Sequence, residues 1–93
     1  MPVTDPEIRA AVRQFVIDTF LLGDASHMHS DDESFLETGT IDSTGVLEVI
    51  LFLETRFGIK IEDRELIPAN IDSVDNQVRF VLAKLTPQAG NAA

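Results

Sequence analysis

Apolar positions near the start of the chain recur at helical spacing. Ile8, Ala11, Val12, Phe15, Thr19 and Leu22 follow the i, i+3, i+4, i+7 rule and predict a helix from Pro6 to Leu22. Thr4 or Asp5 can cap it, Pro6 suits an opening turn, and Glu7 stands three residues after Thr4 as a capping-box partner. Gly23 supplies a stop. A polar stretch follows from Asp24 to Asp42. A structureless loop of that length is unusual in a small domain, so Phe35 and Leu36 are expected to anchor it, framed as one helical turn by Ser34 and Glu37. Gly39 reads as a turn.

A second helix is expected from Ser43 to Phe57, closed by Gly58, with Val46, Val49, Ile50, Leu53 and Phe57 facing the core. Its other line, Thr44, Leu47, Glu48, Leu51 and Thr55, mixes apolar with acidic residues. A helix packed on one side does not need Leu47 and Leu51 there. Either they bury beneath the long loop or they form a partly exposed contact strip. Ile59-Lys60-Ile61 alternates like a strand without a pairing partner and reads as an extended connector. A short helix is expected at Arg64–Ile67 or Pro68–Ile71, the proline leaving its boundary open. The last helix, capped by Asp72 or Ser73, runs to Leu85 on Val74, Val78, Val81, Leu82 and Leu85, with Lys84 placed favourably at its negative end. These elements predict an all-α, antiparallel-type four-helix bundle of three main helices and one short one. It would form a single domain over residues 1–93, with a core at 5–85 and a frayed tail at 86–93.

Size narrows the functional choices. A chain of 93 residues buries roughly 60–65% of the surface its unfolded form exposes, enough for a small core but not for a deep, water-excluding active site. The net charge of −9 argues against a nucleic-acid partner, because phosphate binding needs basic clusters. From Gln14 to Thr55 there is no Lys or Arg, while Asp18, Asp24, Asp31, Asp32, Glu33, Glu37, Asp42, Glu48 and Glu54 all fall there. Half the molecule therefore reads as unneutralised, either as a solubilising face or as a surface that steers basic partners. The same charge favours a monomer. The absence of cysteine excludes a disulfide framework, a thiolate metal site and a cysteine nucleophile. The longest apolar run, Val49–Leu53, is far too short for membrane insertion, and the opening residues lack the pattern of a signal peptide. The expected location is the cytoplasm.

Catalytic motifs are sparse. There is no Gly-rich phosphate loop, no Gly-x-Ser-x-Gly elbow and no His-Glu-x-x-His metal helix. His27-Met28-His29, with Asp31, Asp32 and Glu33, is better read as a solvated loop than as a metal site, for want of a third fixed ligand. A Ser43 nucleophile served by His27 or His29 would need an oxyanion hole that a bundle this small does not provide. Ser43 is notable for another reason. It stands after Asp42 at a helix start, where unpaired N–H groups and the positive dipole end favour a phosphate on its hydroxyl. The commoner use of Asp42 or Ser43 at such a place is a simple N-cap.

At these residues the sequence resembles the acyl carrier proteins, a family that also includes peptidyl and aminoacyl carriers. Asp42-Ser43 matches the family's Asp-Ser pair, and Ser34-Phe35-Leu36-Glu37-Thr38-Gly39 resembles its approach segment. Val46 to Glu54 resembles its second helix, followed by the Phe57-Gly58-Ile59-Lys60-Ile61 connector. The resemblance implies a non-enzymatic shuttle carrying 4′-phosphopantetheine on Ser43, attached by a phosphopantetheinyl transferase that reads Asp42. The arm would hold an acyl or aminoacyl group as a thioester. Partners would be a loading enzyme and a downstream acyltransferase or synthase of fatty-acid, polyketide or nonribosomal-peptide synthesis. Thr44, Leu47, Glu48 and Leu51 would meet them. Thr44 stands where the family usually has Leu, and Thr40-Ile41 adds one residue between Gly39 and Asp42, features more like stand-alone aminoacyl or specialised acyl carriers. Gly45 in a first helical turn either weakens the helix or leaves room for a closely approaching partner. The rival reading is an unmodified acidic helical module that binds a basic protein.

Overall fold

A computed structural model describes residues 4–28 and 30–85. The first helix, α1 (Asp5–Phe20), begins with the expected capping box: Thr4 accepts from the Glu7 N–H, and the Glu7 carboxylate accepts from the Thr4 N–H at 3.1 Å. These reciprocal bonds satisfy donors that a helix start leaves orphaned. Ile8, Val12 and Val16 are fully buried, so the core line runs at i, i+4 and includes Val16 in place of the expected Leu22. Helix α1 ends at Phe20, two residues early, because Leu22 turns to a φ of +53° and Gly23 to +84°. The turn throws Leu22 outward to 92% exposure.

After a 3₁₀ turn at Ala25–His27, the loop carries a one-turn helix, α2 (Phe35–Thr38). Of its two expected anchors, Phe35 is buried and Leu36 is half exposed. Gly39 then takes the left-handed conformation expected of a turn residue. Helix α3 (Gly45–Phe57) buries Val49, Leu53 and Phe57, with Val46 and Ile50 partly buried beside them. Gly58 closes it in the left-handed region.

Residues Ile59 to Ile61 form a connector outside any helix or strand, and Glu54 accepts from the Ile61 N–H at 2.9 Å. Of the two positions considered for the short helix, Pro68–Ile71 is the one taken, forming α4, and Arg64–Ile67 overlaps only a 3₁₀ turn at Asp63–Glu65. Helix α5 (Val74–Leu85) starts at Ser73, whose hydroxyl accepts from the Asn76 N–H at 3.0 Å. It buries Val74, Val78 and Val81 as expected, and also Phe80 and Gln77. Gln77 donates to the Ile71 carbonyl at 2.8 Å and so ties the end of α4 to α5.

The described residues contain no strand, and the architecture is an all-helical bundle of three main helices and two single-turn ones. Helix α5 packs against α1, α4 and α3 around one apolar cluster. Phe15 of α1 and Phe52 of α3 stack with centroids 4.2 Å apart, joining those two helices on the outer side.

The long loop is held by charge. Arg9 bonds to Asp5 at 3.1 Å, to Asp31 at 3.0 Å and to Asp75, while Arg13 also reaches Asp31. The Asp75 N–H donates to the Asp31 carbonyl at 2.9 Å, fixing the loop to the start of α5. The acidic segment is therefore not wholly unneutralised, as its sequence suggests: Asp31 finds its cations on α1, across the fold. Burial works against the Asp31 carboxylate, but hydrogen bonds and charge from Arg9 and Arg13 outweigh it and hold its pKa below the usual carboxylate range.

Candidate functional site

The start of α3 is built by Asp42. Its carboxylate accepts from the Gly45 N–H at 2.7 Å, and its carbonyl accepts from the Val46 N–H at 3.1 Å. Asp42 thus acts as the cap, and the choice between Asp42 and Ser43 is resolved. The regular helix begins two residues later than the pattern suggests, with Ser43 and Thr44 in the turn that leads into it. Ser43 is exposed, and among the described residues its hydroxyl makes no hydrogen bond. The N–H groups of Ser43 and Thr44 likewise find no acceptor among them. A free hydroxyl beside two unpaired donors at the positive end of a thirteen-residue helix suits a bound phosphate. A 4′-phosphopantetheine phosphodiester fits this environment. The adjacent carboxylate, Asp42, is turned into the Gly45 N–H.

Gly45 has a different role from those considered. A Cβ there would lie 2.7 Å from Cε1 of Phe20 and 3.1 Å from Cγ2 of Ile41. The space belongs to the Phe20 ring, not to an incoming partner. The last residue of α1 therefore packs against the first residue of α3, two positions after Ser43. Phe20 extends the Ile8-Val12-Val16 line by another four residues, a signal readable in the sequence.

Beside Ser43 lies a cavity of about 240 Å³, lined chiefly by Phe35, Ile41, Val46, Val49, Leu66 and Ile71. It is larger than the roughly 150 Å³ of an engineered apolar cavity that admits benzene. Chain length alone gave no reason to expect such a space. Ser43 and Asp72 are the polar residues at its edge, and the cavity holds no set of acid, base and nucleophile.

Thr44, Leu47, Glu48 and Leu51 are all exposed on the outer side of α3, with Leu47 and Leu51 each 65% exposed. The loop does not cover them, so of the two possibilities burial beneath it is ruled out and the strip is left exposed. Glu37, Asp42 and Glu48 have no cationic partner among the described residues. His27 pairs with Asp24 at 3.2 Å, remote in role from Ser43, and His29 lies outside the described residues. No group of three or more metal-ligating side chains occurs among the described residues. None of the described helices is long and apolar enough to cross a membrane.

The site is thus a serine with an unbonded hydroxyl at a helix start, beside an apolar cavity and an exposed acidic strip. The chain shows distant homology to acyl carrier proteins. It is similar to the meromycolate extension acyl carrier proteins of Mycobacterium tuberculosis and Mycobacterium bovis. Each is 29% identical over 94 aligned positions, spanning 99% of this chain and 78% of the relative. No family model matches the chain.

Proposed function

We propose that this protein is a phosphopantetheine-dependent carrier, a single unit that holds a thioester-bound cargo on Ser43 and presents it to partner enzymes. The observation that carries this reading is the uncommitted Ser43 hydroxyl. Asp42 takes over the capping duty, so the serine beside it has no structural task in the helix start. The group, when bound, supplies a thiol on a long flexible arm, which a cysteine-free chain cannot supply itself.

The chain's own residues do the rest. Asp42 holds the turn in shape for a phosphopantetheinyl transferase. The Ser43 and Thr44 N–H groups face the phosphate. The apolar cavity offers an acyl tail a site out of water, which favours an apolar acyl cargo over a charged aminoacyl one. Leu47 and Leu51 give loading and downstream enzymes an apolar foothold, while Glu37, Glu48 and Glu54 steer basic docking faces toward it. Homology to acyl carriers supports a place in fatty-acid-type synthesis in the cytoplasm.

The test is incubation with coenzyme A and a broad-specificity phosphopantetheinyl transferase, followed by intact mass measurement. One phosphopantetheinyl increment per chain is expected, abolished in Ser43→Ala while the helical circular dichroism stays unchanged. A chain that stays bare, or is modified equally in the Ser43→Ala variant, overturns the assignment.

A further inference from the structure

The wall of the cavity opposite α3 is a weak element. Helix α2 is a single turn, too short to be stable alone, and it is held in a loop rather than between two helices. Every hydrogen bond that residues 34–41 make outside their own segment, among the described residues, ends on Asp72. The Phe35 N–H donates to the Asp72 carbonyl at 2.6 Å, and the Leu36 N–H donates to Asp72 Oδ1 at 3.0 Å. The Ser34 hydroxyl donates to Asp72 Oδ2 and in turn accepts from the Glu37 N–H at 3.1 Å. One residue, set between α4 and α5, thus ties down the turn, by its carboxylate to Ser34 and Leu36 and by its backbone carbonyl to Phe35. The residues it fixes or adjoins, Phe35, Leu36 and Ile71, line the cavity on whose rim Ser43 sits.

We infer that Asp72 is a latch that holds α2 closed over the cavity beside Ser43, and so is the positioning residue that sets how well an apolar cargo is shielded there. The inference rests on the carrier reading for its cargo, but the latch itself is a property of the bare chain. The physical basis is local opening. A single-turn segment whose outside hydrogen bonds all end on one residue, and whose core anchors are Phe35 and Ile41 alone, opens below the global unfolding free energy, and those bonds help set that opening. Removing its carboxylate frees the Ser34 hydroxyl and the Leu36 N–H together, leaves the turn only the backbone bond from Phe35, and lets water reach Phe35, Ile41 and Val46. Phe35 alone, buried but unlatched, would not hold the wall against that loss.

Two measurements test this, one of them independent of loading. In the bare chain, hydrogen exchange by NMR is expected to quicken in Asp72→Ala first at the Leu36 amide, whose carboxylate acceptor is lost, and with it at the Phe35 amide, whose backbone bond opens as the turn opens. The expected change is about ten-fold or more, as for loss of hydrogen bonds to a charged group. Val49 and Val78 amides should stay protected. In the loaded chain, an octanoyl thioester is expected to resist hydroxylamine better than free octanoyl-pantetheine. In Asp72→Ala that protection should vanish, and in Asp72→Asn, which keeps an acceptor for the Leu36 N–H, it should largely return. Should Asp72→Ala fail to fold, Ser34→Ala breaks one arm of the latch and should give an intermediate acceleration at both amides. Unchanged exchange at Phe35 and Leu36 overturns the latch. Faster exchange with undiminished thioester protection overturns its link to cargo. If no cargo can be loaded at Ser43, the carrier reading fails while the exchange result still decides the latch.

Discussion

Two acidic regions of this molecule use the same side chains for opposite ends. Around Arg9, the carboxylates of Asp5, Asp31 and Asp75 converge on one guanidinium, with Arg13 completing the cluster. On the outer side of α3 and the turn before it, Glu37, Asp42 and Glu48 stand exposed without a cation among the described residues. The first cluster is partly shielded and joins α1, the long loop and α5, so its charge is spent on the fold. The second leaves its field directed at solvent, where it acts on approaching molecules within about a Debye length, some 8–10 Å at ordinary salt. Acidic residues in one chain thus divide into clasp and lure according to whether the fold brings arginine to them.

The contrast can be broken most severely within α3 itself, where two leucines two positions apart face opposite ways. Leu53→Ala opens a cavity in the core and is expected to cost about 2–5 kcal/mol in denaturant unfolding. Leu51→Glu should change stability by no more than about 0.5 kcal/mol. It should nevertheless slow acyl transfer to partner enzymes while Ser43 modification persists; unchanged transfer kinetics would remove the strip from the recognition surface.

Gly45→Ala comes next. Helix propensity alone predicts a gain of up to about 1 kcal/mol, but the new methyl would meet the Phe20 ring at 2.7 Å. The expected outcome is a net loss of about 1–3 kcal/mol from overpacking, and a variant more stable than the parent would show that the ring moves aside freely.

Arg9→Ala should cost about 1–2 kcal/mol, because it strips three carboxylates of a common partner. That cost should fade in acid. The folded pKa of Asp31 is depressed, so its contribution is whole above the ordinary aspartate value near 4 and is lost as pH falls through the lower folded value. The gap between parent and Arg9→Ala should therefore narrow below about pH 4 in pH-dependent unfolding. A gap constant from neutral pH into that range would mean that Arg9 acts through packing alone. The smallest effect is one of salt: raising ionic strength should slow partner association at α3 while leaving the melting temperature nearly unchanged.

Helix positions were largely legible because each helix carries its own start signal and apolar line. Thr4 and Glu7, Ser34 before Phe35, and Ser73 before Val74 all cap as their spacing suggests. Misreadings fell where a residue's role depends on a distant neighbour. Leu22 continues the periodicity of α1 but is thrown outward by the left-handed turn it enters. Gly45 looks like a weak point until the Phe20 ring is seen against it. Asp72 reads as an optional cap for α5, yet it serves a turn 36 residues earlier. The exposed Ser43 beside the Asp42 cap and the exposed outer strip of α3 were legible because both are local features of one helix and its start.

The order of apolar and capping residues by itself determined where helices form, which face of each is apolar, and where a serine meets a helix start. Those are short-range matters, governed by side chains within one or two turns of each other. Only the tertiary structure decided which acids are neutralised, what fills the space over Gly45, and that a cavity opens beside Ser43 under a turn held by Asp72. Each of these depends on contacts between segments far apart in the chain, and no local pattern encodes how helices come to rest against one another.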